Sequence, residues 1–297
     1  MKNTTRYFIL SAIACLLMQT VIAQHGVSYN QFGQLRNTFN SALSTMDLRG
    51  SFSMLGRSQW IGIDGAPKSI WASGNMGFEQ SLLAVGLDAK HAVLGVVKET
   101  ELSAYVAKAV RLSENDYLSL SMGGGLIHFQ GDYSQLDDRG DPSFRENIRE
   151  TGGFLSVGTS YYRPEHYYVG VSMPRFSLYR DNHPDYEFRN VYYITAGALF
   201  RLDEAFHLRP SFLVGHMDNL PPRFDLSVLL FMMRKLGLGM GLQNQGDISA
   251  LLQLNFGNFG IGYSYQFSPR NTTLNQRIST NTHEIGLRYR VGGVELL

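Results

Sequence analysis

In "FGIGYSYQF" (259–267), Phe259, Ile261, Tyr263, Tyr265 and Phe267 fall on one face of an extended chain, with Gly260, Gly262, Ser264 and Gln266 on the other. An apolar stripe of period two belongs to a strand with one greasy and one polar side, and a helix cannot carry it. The pattern returns in "LGLGMGLQ" (236–243) and in "HEIGLRYRV" (283–291), where Ile285, Leu287, Tyr289 and Val291 oppose Glu284, Gly286, Arg288 and Arg290. Helical periodicity is hard to find after residue 50. Extended segments are expected near 49–60, 69–78, 82–89, 100–111, 117–130, 152–163, 166–174, 190–202, 206–217, 223–232, 236–244, 248–256, 259–268 and 282–291. That makes about fourteen strands, within a range of twelve to sixteen.

The connections narrow the architecture further. Every second one is short: Glu79–Ser81, Leu112–Asp116, Pro164–Glu165, Asp203–Ala205, Met233–Lys235 and Gly257–Asn258. Several of the others are long, at Gly131–Thr151, Arg175–Arg189 and Ser268–Asn281. Short turns at one end, long loops at the other and an even strand number describe an all-β, antiparallel transmembrane barrel of the outer-membrane type. A soluble sandwich or lipocalin-like barrel would also alternate, but it explains neither the loop asymmetry nor the aromatic content of 12%. Tyr161, Tyr162, Tyr167 and Tyr168, around the Pro164–Glu165 turn, are expected in an aromatic girdle at one interface.

The start of the chain is set apart from this fold. Lys2 and Arg6 precede the apolar run "YFILSAIACLLM", and "VIA" ends at Ala23, so residues 1–23 have the organisation of a cleaved secretory signal peptide. The single cysteine, Cys15, lies inside that segment, which leaves a mature chain with no disulfide and no thiolate site. Loss of Lys2 and Arg6 takes the formal charge from +1 to −1, a balance that gives no reason to propose nucleic acid as a partner. Charged residues make up only 17%, yet no later stretch has the roughly 18 apolar residues of a membrane-spanning helix. Residues 24–48, "QHGVSYNQFGQLRNTFNSALSTMD" and Leu48, fit no strand and are expected to form an N-terminal arm or plug, with the barrel at 49–297.

Motifs for chemistry are sparse. The acidic run "GDYSQLDDRGD" holds Asp132, Asp137, Asp138 and Asp141, but lacks the glycine placement and distal glutamate of a calcium loop. His128, His166, His183, His207, His216 and His283 are scattered, and no nucleophile motif appears. No catalytic residue, cofactor, metal site or small-molecule substrate is identified, and the expectation is a non-enzymatic protein. Glu284, Arg288 and Arg290 are expected to face the lumen. There they either line the constriction of a porin or hydrophobic-solute transporter or pair within a filled interior.

One segment is distinctive as a whole. "RSQWIGIDGAPKS" (57–69) combines Arg57, Gln59, Trp60, Gly62, Asp64, Gly65, Ala66 and Pro67; Asp-Gly turns the chain and a proline punctuates the strand. The segment resembles the signature of the PorP/SprF-type membrane proteins of the Bacteroidetes type IX secretion system. "GGGLIHFQGDYSQLDD" (123–138), "YYVGVSMPRF" (167–176), "YYITAGALFRL" (192–202), "LRPSFLVGH" (208–216), "FGIGYSYQF" and "THEIGLRYR" (282–290) follow in that family's order. Two stretches depart from it, "NSALSTMD" (40–47) and "HAVLG" (91–95). The resemblance implies a barrel in the outer membrane, surrounded by lipid and working with protein partners. These would be type IX secretion components, or the C-terminal domain of a secreted surface protein such as a gliding adhesin. It also marks the 57–67 segment as a candidate partner contact.

Overall fold

The computed structural model describes residues 29–135, 146–178, 188–244, 246–269, 281–293 and 296–297. The expected signal peptide, Asp137, Asp138, Asp141, His183 and the middles of the three longest connections lie outside the described residues. Fifteen strand segments form one sheet: β1 (Ser51–Gln59), β2 (Lys68–Phe78), β3 (Leu83–Leu94), β4 (Val97–Arg111), β5 (Tyr117–Gly131), β6 (Ile148–Arg163), β7 (Tyr167–Ser177), β8 (Val191–Ala198), β9 (Phe200–Arg201), β10 (Phe206–Met217), β11 (Arg223–Met232), β12 (Leu236–Gln243), β13 (Ile248–Phe256), β14 (Phe259–Phe267) and β15 (Thr282–Arg290). β8 and β9 are two pieces of one stave: both pair with β10, and Leu199 between them turns toward the interior. Each stave pairs antiparallel with its sequence neighbour, and β15 returns to β1 with Arg57 opposite Glu284. The result is a closed barrel of fourteen staves, in which no strand edge is left open.

The period-two pattern sets which residues face out. On β14, Phe259, Ile261 and Phe267 are exposed while Gly260, Gly262, Ser264 and Gln266 are buried. On β5, Leu118, Leu120, Met122 and Leu126 project outward and His128 follows them. From Leu118 to His128, about ten rises of ~3.3 Å on strands tilted by ~40° give roughly 25 Å, the height of the apolar band of a membrane barrel.

Two sequence expectations are corrected. β3 runs to Leu94 and β4 starts at Val97, so the gap expected at 90–99 closes to a tight turn at Gly95, whose φ is 57°. The upper halves of these strands rise above the apolar band and carry polar residues on both faces, so they show no alternation. Tyr162 and Tyr168 do not join an outer girdle; they are buried inside with Leu43, Met46, Ala109 and Leu297. Adjacent residues of a strand face opposite sides, so only Tyr161 and Tyr167 of the four share the outward face, their rings 5.9 Å apart.

The interior is filled by the N-terminal segment. Residues 29–47 enter as a series of turns, continue through one helical turn, α1 (Arg36–Phe39), and a 3-10 helix at Ser41–Met46, and then lead into β1. Asn40 caps the 3-10 helix, its side-chain oxygen accepting from the Ala42 N–H at 3.1 Å. Strand glycines make room for the segment. A Cβ on Gly262 would lie 1.9 Å from Gln31 Oε1, and one on Gly170 would lie 2.4 Å from Asn40 Nδ2 and 2.7 Å from the Thr159 carbonyl. Gly170→Val is expected to cost about 1–3 kcal/mol through overpacking, seen as a lower temperature for loss of the compact, heat-modifiable form on a gel.

Candidate functional site

The lumen is lined by both polar and apolar side chains, with a peptide locked inside it. Glu284, fully buried on β15, accepts the backbone N–H groups of Asn30 at 3.0 Å and Gln31 at 3.2 Å, and the Ser264 hydroxyl at 3.3 Å. Across the barrel-closing seam its Oε1 lies 3.3 Å from Nη1 of Arg57, whose guanidinium sits 5.6 Å from the centre of the Tyr29 ring. One carboxylate therefore holds the inner segment by two main-chain donors while a cation neutralises it. Buried charges persist when they are paired and hydrogen-bonded in this way.

A second anchor lies nearer the short-turn end. Arg290 Nε approaches Asp47 Oδ1 at 2.8 Å and its Nη2 donates to the Met46 carbonyl at 3.0 Å. Arg36 reaches the same carboxylate at 3.3 Å, and Arg288 Nη1 donates to the Gln34 carbonyl at 3.5 Å. Burial works to raise the pKa of Asp47, but Arg36, Arg290 and Arg288 outweigh it and hold the carboxyl below its ordinary value. A carboxyl whose folded pKa is depressed stabilises the fold above its unfolded pKa near 3.8, and that contribution is lost as pH falls through the lower folded value. Asn40 adds a third tie, donating from Nδ2 to the Thr159 carbonyl at 3.0 Å, while the Ser172 hydroxyl donates to the Phe39 carbonyl at 2.6 Å. The structure thus joins Arg57 to Glu284, and sets Arg288 and Arg290 against the same inner segment.

The rest of the 57–67 motif lies on the rim. Gln59 N–H donates to the Pro67 carbonyl at 2.9 Å, so the proline's acceptor side extends the β1–β2 ladder although it has no N–H of its own. Trp60, at φ 50°, donates its N–H to Asn281 at 2.8 Å, and the Gly65 carbonyl accepts from Gly95 N–H at 2.8 Å. Gly62 and Gly65 have φ values of 95° and 73°, suited to glycine. Gly62, Asp64 and Gly65 are exposed and Ala66 is buried. The connection is fastened to the turns on both sides and presents a fixed surface.

Above the plug, toward the long connections, a cavity of about 70 Å³ remains. Tyr29, Phe39, Trp71 and Tyr193 pack beside it, with ring centres 5.2–6.4 Å apart. On its wall, Lys90 lies 3.1 Å from Glu101 and 3.5 Å from Glu99, and Arg175 lies 2.8 Å from Glu101. A space of this size holds a few waters rather than a wide channel. Nothing in the sequence marks this network, because the expected strand begins at residue 100 and Lys98 and Glu99 read as connection until β4 is extended to include them. With Glu99 on the strand, it shares the inward face with Glu101. At the opposite end, Leu296 and Leu297 are buried, and their N–H groups donate to Glu165 Oε1 at 3.0 and 3.5 Å. Among the described residues, no group of three or more His, Cys, Asp or Glu is placed to hold a metal ion.

Residues 21–289 match the family model described as type IX secretion system membrane protein PorP/SprF. No curated protein matches the sequence. Similar solved structures include the CymD monoaromatic hydrocarbon channel, at 11% identity and a TM-score of 0.49, covering 90% of this chain and 94% of that one. A Pseudomonas aeruginosa FadL homologue is 9% identical with a TM-score of 0.49, covering 86% and 93% of the two chains. The Acinetobacter baumannii outer membrane protein Omp33 is 11% identical with a TM-score of 0.46, covering 82% and 99%.

Proposed function

The chain belongs to the PorP/SprF family of type IX secretion system membrane proteins, and from that premise we propose that it is a non-enzymatic outer-membrane barrel, exported by a cleaved signal peptide, that supports the secretion or surface attachment of a protein partner. The partner is another component of the secretion machinery or the C-terminal domain of a secreted surface protein such as a gliding adhesin. The observation that carries this reading is the occupied lumen: residues 29–47 are bonded to Glu284, Arg288 and Arg290, with Arg57 pairing Glu284 beside Tyr29, which removes the open path that a general porin needs. Recognition then falls to the rims, where loops on a rigid scaffold bind partners. The fastened 57–67 connection is a candidate contact among them.

Deleting the gene is expected to mislocalise a particular surface protein while uptake of small solutes stays unchanged. Surface proteomics of the deletion strain and its complemented parent provides the measurement, and intact display of every surface protein would refute the proposal. The alternative, a porin or hydrophobic-solute transporter, requires the inner segment to leave. Liposomes carrying the purified barrel are expected not to swell in small sugars, whereas rapid swelling would favour the alternative.

A further inference from the structure

The outer wall of β2–β6 carries two polar rows just beyond the apolar band, at the end bearing the long connections. In the lower row, Ile70, His91, Thr100, His128 and Thr151 are successive register partners. The His91 and His128 rings each engage a neighbouring threonine hydroxyl through Nδ1, at 2.9 and 2.8 Å, so Nε2 is the nitrogen available to a ligand. In the upper row, Lys68, Val93, Lys98, Gln130 and Arg149 are in register in the same way. Lys68, Lys98 and Arg149 are exposed and, among the described residues, make no ion pair. With strands about 4.8 Å apart, the three cations are spaced roughly 10 Å from one to the next.

The contrast with the inside is pronounced. Inward cations such as Arg57, Lys90, Arg175 and Arg290 are each matched by a carboxylate. Neither outward row contains an acid. Glu99, Glu101 and Glu150 take the opposite face of the same strands, and exposed Asp64 and Glu146 belong to the connections above. Below the rows the wall is apolar, with Leu102 and Leu126 about 60% exposed. A cationic row at the edge of an apolar band lies at the depth of lipid phosphates, and basic side chains there are attracted to anionic headgroups.

We propose that this wall is a binding surface for phosphate-bearing lipid headgroups in the leaflet at the long-connection end. Lys68, Lys98 and Arg149 supply charge, and His91 and His128 supply donors just beneath them. The inference rests on the reading that the barrel spans a membrane.

The test is reconstitution of the full chain in phosphatidylcholine vesicles with spin-labelled phosphatidylglycerol or spin-labelled phosphatidylcholine, comparing the immobilised fraction of each by electron paramagnetic resonance. Wild type is expected to select phosphatidylglycerol. The triple variant Lys68→Gln, Lys98→Gln, Arg149→Gln is expected to lose about fivefold or more of that preference. The pair Arg111→Gln and Lys235→Gln, at the short-turn end, should keep it. Inorganic phosphate should not displace the labelled lipid. Heat-modifiable migration confirms that each variant is folded. An inserted barrel whose preference survives the triple variant, or vanishes with the short-turn pair, overturns this inference alone. A folded chain that never floats with the vesicles overturns the membrane reading and this surface together.

Discussion

Glu284→Ala is expected to destabilise the protein by about 3–5 kcal/mol, the range for breaking one side of a buried ion pair. The alanine leaves the Arg57 guanidinium buried at the seam without its carboxylate, and removes the acceptor for the Asn30 and Gln31 N–H groups. Urea unfolding in micelles, followed by tryptophan emission, reads the loss. Glu284→Gln keeps an acceptor for the inner segment but not the charge, and is expected to fall between wild type and alanine. The double variant Arg57→Leu, Glu284→Leu should recover part of the alanine loss, because the uncompensated charge goes with its partner. If alanine costs under 1 kcal/mol, the pair is not what secures the segment.

Removing residues 29–47 should produce the other large effect, an open pore. Much of the strand wall they cover is polar, with Ser53, Ser121, Thr195, Ser264, Gln253 and Arg288 buried on it. Water can replace the segment along that polar part, while loss of Tyr29, Phe32, Leu35 and Phe39 uncovers Leu55, Val191, Tyr193 and Leu213 and lowers stability, but the barrel ladder is made without the segment. Planar-bilayer conductance is expected to rise from near closed to steady open-channel values, with liposome swelling in arabinose to match. A folded, inserted deletion variant that remains non-conducting would show that some other part of the chain blocks the lumen.

The stave count and the facing of β12, β14 and β15 were legible because those strands sit in the apolar band, where one face must be greasy and the other need not be. The signal fades wherever that constraint fades. Lys98 and Glu99 stand above the band, so β4 loses its alternation there and its first residues look like loop. Tyr162 and Tyr168 depart from the expected girdle because two adjacent tyrosines on a strand cannot both face lipid. The inner segment has no period because wall surrounds it on all sides: Asn30, Gln31, Arg36 and Asn40 are buried as fully as Tyr29, Phe32, Leu35 and Phe39, so no exposed face sets off an apolar stripe. The sequence could flag Arg57 and Glu284 separately, but only the register of β1 on β15 makes them partners.

That register also bears on the order of assembly. The Glu284 anchor ties Asn30 to a residue 254 positions later, and it sits on the seam where the last strand meets the first. Contacts between such distant parts of a chain are entropically the slowest to form. Closing the ring and seating the segment are therefore one late event, with residues 29–47 gathered inside the curving sheet before β15 docks. In refolding experiments, protection of the Asn30 and Gln31 amides should appear together with that of the β1–β15 ladder, and never before it.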